Sequence, residues 1–181
     1  MLRRNLLALL PAPLLAAARW KRLFNGKDLG GWTATAGDWK VAGGAIVCES
    51  GESGWLRAAG TYADFILELE FRTAPDGNSG VFIRAAEQGR PWETGYEVQI
   101  YDTHPTHPTG SLVGAIVAKG GKLTGAWQKM VITARGNAFE VAIDGQRVAQ
   151  GTDAKSARGY VALQYNKGKK IAFRRLRIRE L

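Results

Sequence analysis

The chain contains a single cysteine, Cys48, which rules out an intrachain disulfide and a zinc site built on several thiolates. Cys48 closes the apolar run Ala45-Ile46-Val47-Cys48 and reads as a core filler, too far from the start to anchor a lipid. Helical periodicity is equally scarce: no stretch shows the three- and four-residue apolar spacing of a long amphipathic helix. Beyond residue 18 no apolar run is long enough to span a bilayer, and no internal repeat, linker or low-complexity tract divides the chain. Acidic residues are short in number, 16 against 25 lysines and arginines, for a formal charge of +9. The excess gathers near the end, at Lys167, Lys169, Lys170, Arg174, Arg175, Arg177 and Arg179. There the arginines alternate with Phe173, Leu176 and Ile178, the pattern of a strand with one wet face. A nucleic-acid partner would call for a groove-entering helix or aromatics set among the cations, and the pattern offers neither.

The first eighteen residues stand apart. Met1-Leu2-Arg3-Arg4-Asn5 is a charged start, Leu6 to Leu15 an apolar stretch broken by Pro11 and Pro13, and Ala16-Ala17-Ala18 supplies small residues for cleavage. Residues 1–18 are therefore expected to be a signal peptide, and the mature protein periplasmic or extracellular with no membrane span. The Arg3-Arg4 pair leaves general and twin-arginine export both open. What remains, residues 19–181, is about the size of one domain with a real core.

Almost every periodic segment has period two. Strands are expected at 39–41, 45–49, 55–58, 65–73, 79–86, 96–102, 111–118, 127–135, 138–144, 146–150, 160–164 and 171–179. Gly43-Gly44, Gly136-Asn137 and Asp144-Gly145 serve as tight turns. So many short strands in one domain imply an all-β fold, a two-sheet antiparallel sandwich of jelly-roll type.

Polar side chains at alternating positions mark candidate site rows. Asn78 precedes Ser79-Gly80-Val81-Phe82-Ile83-Arg84, and Tyr96-Glu97-Val98-Gln99-Ile100-Tyr101-Asp102 follows. Glu97, Gln99 and Tyr101 share one face of their strand, as Glu68, Glu70 and Arg72 do of theirs, and these rows are expected to line one cleft. Gln99 lies between Val98 and Ile100, where a polar side chain requires a partner, whereas Asn78 equally suits a turn. Both histidines fall in Asp102-Thr103-His104-Pro105-Thr106-His107-Pro108, spaced to rim a site; the same three groups could ligate a divalent metal, although no cofactor is expected. Trp92 and Tyr101 are the aromatics nearest these rows. Trp32, Trp39, Trp55 and Trp127 are expected in the core.

In order along the chain, Leu23-Phe24-Asn25-Gly26-Lys27-Asp28, Phe65 to Arg72, Gly77-Asn78-Ser79-Gly80-Val81-Phe82-Ile83-Arg84, Tyr96-Glu97-Val98-Gln99-Ile100, Gly125-Ala126-Trp127-Gln128, Gly159 to Gln164 and Phe173 to Leu181 resemble the 3-keto-disaccharide hydrolase family over essentially the whole mature chain. The resemblance implies a concanavalin A-like lectin/glucanase sandwich acting on sugars already oxidised at C3. A ketone there acidifies the C2 hydrogen, so a carboxylate can remove it, the C1 substituent leaves by elimination, and water adds back. On that basis Glu97 is the expected acid/base and Arg84 the group that stabilises enolate or substrate. Glu70 is a further catalytic candidate, with Asp102 in reserve. Asn78, Gln99, Tyr101, Asp102, Trp92 and His107 are the expected substrate contacts. The expected partner is a 3-keto-glycoside, supplied by a sugar 3-oxidoreductase. Where the family commonly carries Asp-His-Gly after Gly-Tyr-x-x-Leu-Gln, this chain has Tyr165-Asn166-Lys167-Gly168, and Val113 stands where an aromatic is common. A noncatalytic carbohydrate-binding module and a two-carboxylate glycosidase are the alternatives.

Overall fold

The computed structural model describes residues 19–181, so the expected leader lies outside the described residues. Strands β1 (Lys21–Arg22), β2 (Trp32–Ala34), β3 (Lys40–Ala42), β4 (Ala45–Cys48), β5 (Gly54–Ala58), β6 (Phe65–Thr73) and β7 (Ser79–Ala85) lead to a four-residue helix, α1 (Pro91–Thr94). After it come β8 (Tyr96–Ile100), β9 (Gln128–Arg135), β10 (Ala138–Ile143), β11 (Gln146–Thr152), β12 (Tyr160–Tyr165) and β13 (Ile171–Glu180). They form two antiparallel sheets, one of eight strands in the order β11-β10-β9-β6-β13-β4-β3 with β1 also on β13, the other in the order β2-β5-β12-β7-β8. The sandwich expected from the period-two pattern is thus the fold. No described helix is long and apolar enough to cross a membrane.

Alternation decides which side chains fill the gap between the sheets. On β6, Phe65, Leu67, Leu69 and Phe71 are buried while Ile66, Glu68 and Glu70 are only partly covered and Arg72 is exposed. They meet Val81 and Ile83 of β7, Tyr96, Val98 and Ile100 of β8, and Phe173, Leu176 and Ile178 of β13 in one continuous core. Each such side chain contributes about 1.5–3 kcal/mol on burial. The β3–β4 and β10–β11 hairpins turn on Gly43-Gly44 (φ 57° and 74°) and Asp144-Gly145 (φ 50° and 83°), left-handed conformations that match strand twist.

The expected strand at 111–118 does not form. Leu112, Ile116 and Ala118 are buried, which explains the alternation, but Leu112 and Ile116 pair with each other across a tight turn and only Leu112 bridges to Val98. Gly110 and Gly114, at φ 92° and 77°, bend the segment into a loop along the edge of β8. Strands β1 and β2 were not expected because two or three residues carry no legible period.

Candidate active site

The outward face of the five-stranded sheet is assembled by register. Phe82 pairs with Glu97 and Gly80 with Gln99 across β7 and β8. Ala162 pairs with Phe82 across β12 and β7, and Ala162 and Gln164 pair with Arg57 and Trp55 across β12 and β5. Side chains opposite one another lie on one face, so these eight residues share it.

Glu97 is the chemically unusual member. It is 8% exposed and forms no ion pair among the described residues. Burial pushes its carboxyl up to about 7, with the Gln164 side chain pulling the other way. Backbone geometry makes room for it: a Cβ on Gly80 would stand 2.6 Å from Glu97 Oε1. The Gln164 amide is itself oriented. Asn166 Nδ2 donates to Gln164 Oε1 at 3.2 Å and to Asn78 Oδ1 at 2.8 Å, so the Gln164 NH₂ group is left for the carboxyl. A carboxyl poised near neutrality, with its neighbouring donor fixed, can both take and return a proton.

Beside it stands an aromatic corner. Trp92 of α1, 38% exposed, lies 6.0 Å from Trp55 at 86° and 6.1 Å from Phe82, and Trp55 meets Phe82 edge-on at 6.3 Å. Pro91 starts the helix, and Lys155 Nζ donates to the carbonyls of Trp92 and Gly95 at 3.2 and 3.0 Å, holding α1 against the sheet. Trp55 therefore lines the site instead of the core. Trp127 also lies outside the core, on the opposite outer face, against Ala45, Val47 and Ala172. Trp32 is buried and Trp39 packs on the core, as their apolar contexts suggest.

The other expected site residues divide. Gln99 is buried next to Gly80, with Oε1 accepting from the Ile100 N–H at 3.2 Å, and Asn78 is held by Asn166 at the entrance to β7. Tyr101 follows β8 and meets the His104 ring edge-on at 6.1 Å. Asp102 accepts from Thr109 Oγ1 at 2.6 Å and from the Leu123 N–H at 2.7 Å, bracing the loop beyond β8. His107 Nε2 accepts from the Gly114 N–H at 3.1 Å while Nδ1 sits 2.8 Å from Thr106 Oγ1, an arrangement suited to a neutral ring protonated at Nδ1. Burial, and then the neighbouring His104, lower its pKa in keeping with that form.

Arg84 and Glu70 lie elsewhere. The β7–β12 register shifts between Tyr160 and Ala162, and Arg84 takes a φ of 51° that turns its side chain off the outer face. Fully buried, its guanidinium donates to the carbonyls of Ala63, Gly136 and Ser156 and to Asp64 Oδ1, over the Phe139 ring. Glu70 belongs to the other sheet. Partial burial raises its pKa, but hydrogen bonds from Arg174 and Arg175, at 2.6 and 2.7 Å, outweigh this and keep it below the usual carboxylate range. The rows of Glu70 and Glu97 do not share a cleft, because β6 and β8 are in different sheets.

Phe82 lies on the site face as the alternation along its strand suggests, whereas Gly80, Gln164, Asn166 and Trp55 are site residues beyond those expected from the sequence. Gln164 carried the same signal as Gln99, a polar residue between Leu163 and Tyr165 in a strand. Asn166, a departure from the family pattern, is the residue that orients it.

The profile of a family described as the 3-keto-alpha-glucoside-1,2-lyase-like domain matches residues 19–179. Two crystal structures from Parabacteroides distasonis, both provisionally described as glycosyl hydrolases, superpose with a TM-score of 0.77. One is 22% identical and covers 90% of this chain and 94% of its own, and the other is 26% identical and covers 90% and 100%. The carbohydrate-binding module CBM66 from Bacillus subtilis shares the fold at 15% identity, TM-score 0.65, covering 83% of this chain and 96% of that one. Among curated proteins none matches the sequence.

Proposed function

The chain belongs to the 3-keto-alpha-glucoside-1,2-lyase-like family, and from that membership we propose that this carbohydrate-active protein cleaves the glycosidic bond of a sugar already oxidised at C3, with Glu97 as the base. The observation that carries the proposal is Glu97 itself, a carboxyl buried without a cation, pushed to about 7, on a sheet face that also presents an aromatic corner. Glu97 removes the proton at C2, and the electron pair delocalises into the C3 ketone as an enolate. Collapse of the enolate breaks the C1–O bond, and the leaving oxygen takes a proton from Glu97 or water. Addition of water at C1, with a proton returned to C2, completes net hydrolysis. The Gln164 and Gln99 amides supply donors within the same strand row, and Trp55 and Trp92 offer apolar faces to pyranose C–H groups. A two-carboxylate mechanism would need a second free acid beside Glu97, and Asp102, the next carboxylate along the chain, lies beyond the end of β8 with both oxygens engaged.

On this proposal the expected leader would carry the protein out of the cytoplasm, and a sugar 3-oxidoreductase is the class of enzyme that would supply the ketone. The test is product release from matched glucosides carrying a hydroxyl or a ketone at C3. Release from the ketone alone, reduced by roughly 10²–10⁴ in Glu97→Gln, is the expected result. Binding without turnover by folded protein would make it a carbohydrate-binding module, the reading that the aromatic corner would support alone.

A further inference from the structure

We propose that the outer face of the eight-stranded sheet is a second, noncatalytic carbohydrate site that takes an acidic polysaccharide of uronate type. This face is turned away from Glu97. Its central strands carry Arg72 on β6, Lys129 and Arg135 on β9, and Arg174, Arg175, Arg177 and Arg179 on β13, against Glu68 and Glu70. A cleft of about 620 Å³ opens here, lined by Arg22, Lys129, Arg175, Arg177, Glu68 and Glu70 among others. Each carboxylate is already doubly neutralised, Glu68 by Lys129 and Arg177 and Glu70 by Arg174 and Arg175, and Arg22 pairs with no carboxylate among the described residues. The cleft thus keeps a surplus of positive charge.

Further features favour a sugar chain. Arg175 sits at a bulge in β13 with a φ of 54°, a conformation costing a non-glycine residue about 1–2 kcal/mol, and its side chain is 72% exposed at the cleft. Half-exposed tryptophans stand at either end of the arginine row, aromatics among cations that the sequence pattern alone does not reveal. Trp127 has Arg72 and Arg174 at 4.8 and 4.1 Å from its ring, and Trp20 has Arg177 and Arg179 at 4.4 and 5.2 Å. From Arg174 to Arg179 the strand runs about 17 Å, room for several linked sugars. The single buried side-chain donor without an acceptor among the described residues, Arg179 Nε, lies at the Trp20 end. Glu68 and Glu70, interleaved with the cations and neutralised by them, space the positive charge along the face and keep lone pairs that accept hydrogen bonds from hydroxyls. A polymer that alternates carboxylates with hydroxyls uses both kinds of group.

The test is affinity electrophoresis of the protein in polygalacturonate, in its neutral methyl ester and against duplex DNA, at low and high salt. Arg175→Gly suits the left-handed backbone and removes only the side chain, and it is combined with Arg177→Gln. Expected are retardation by polygalacturonate alone, loss at high salt, and binding weakened about tenfold or more in the double variant, with turnover at Glu97 unchanged. No retardation of folded protein, equal retardation by DNA or the methyl ester, or undiminished binding by the double variant overturns the proposal. None of these outcomes bears on the reading of Glu97.

Discussion

Burial of Glu97 ties activity to stability in opposite directions. An ordinary glutamic acid ionises near 4.5 and this one at about 7, so between those values the folded chain keeps a proton that the unfolded chain has released. Stability from this group is complete below about 4.5 and declines as pH rises to 7, by roughly 3 kcal/mol. The base needs the ionised form, so kcat/KM should climb through the same region. Glu97→Gln removes the ionisation. Urea denaturation at pH 8 should show the variant more stable than the parent, with the gap closing below pH 4.5; a gap independent of pH would mean that the carboxyl is solvated. Gly80 tests the same geometry from below. A methyl there meets Glu97 Oε1 at 2.6 Å and Cγ at 3.0 Å, so Gly80→Ala should push the carboxyl out of place and lower kcat by about tenfold or more. An unchanged kcat would show that the carboxyl position is not critical.

At the scale of strands, alternation within each element was legible and partnership between elements was not. The pattern of Tyr96 to Ile100 placed Glu97 and Gln99 together on one face, as found. It could not show that β13 inserts between β6 and β4, which carries Glu70 to the far sheet and into ion pairs with arginines about a hundred residues later in the chain. Arg84 was misplaced for a different reason: its left-handed turn occurs at a residue without the glycine that usually signals one. The helix that presents Trp92 is too short to have a period. Arg84 now calls for a structural test. Arg84→Met strips partners from three carbonyls and Asp64, and should lower unfolding free energy by roughly 3–5 kcal/mol while folded protein at low temperature keeps kcat within about twofold. Collapse of kcat with stability intact would instead put the guanidinium on the substrate.

Across the whole molecule, one core separates two chemically different outer faces. The five-stranded sheet presents aromatics and a neutral-range carboxyl, and the eight-stranded sheet carries arginines that account for much of the chain's +9. The net charge was visible in composition, and the gathering of the β13 arginines on one face follows from β13 lying inside the larger sheet. Substrate oxidised at C3 and labelled with deuterium at C2 tests the central claim most directly, by following the label during turnover. Loss of deuterium to water, with turnover slowed relative to the unlabelled sugar, is the expected result. Retention of the label at C2 with an undiminished rate would contradict proton abstraction by Glu97 and point to direct displacement at C1.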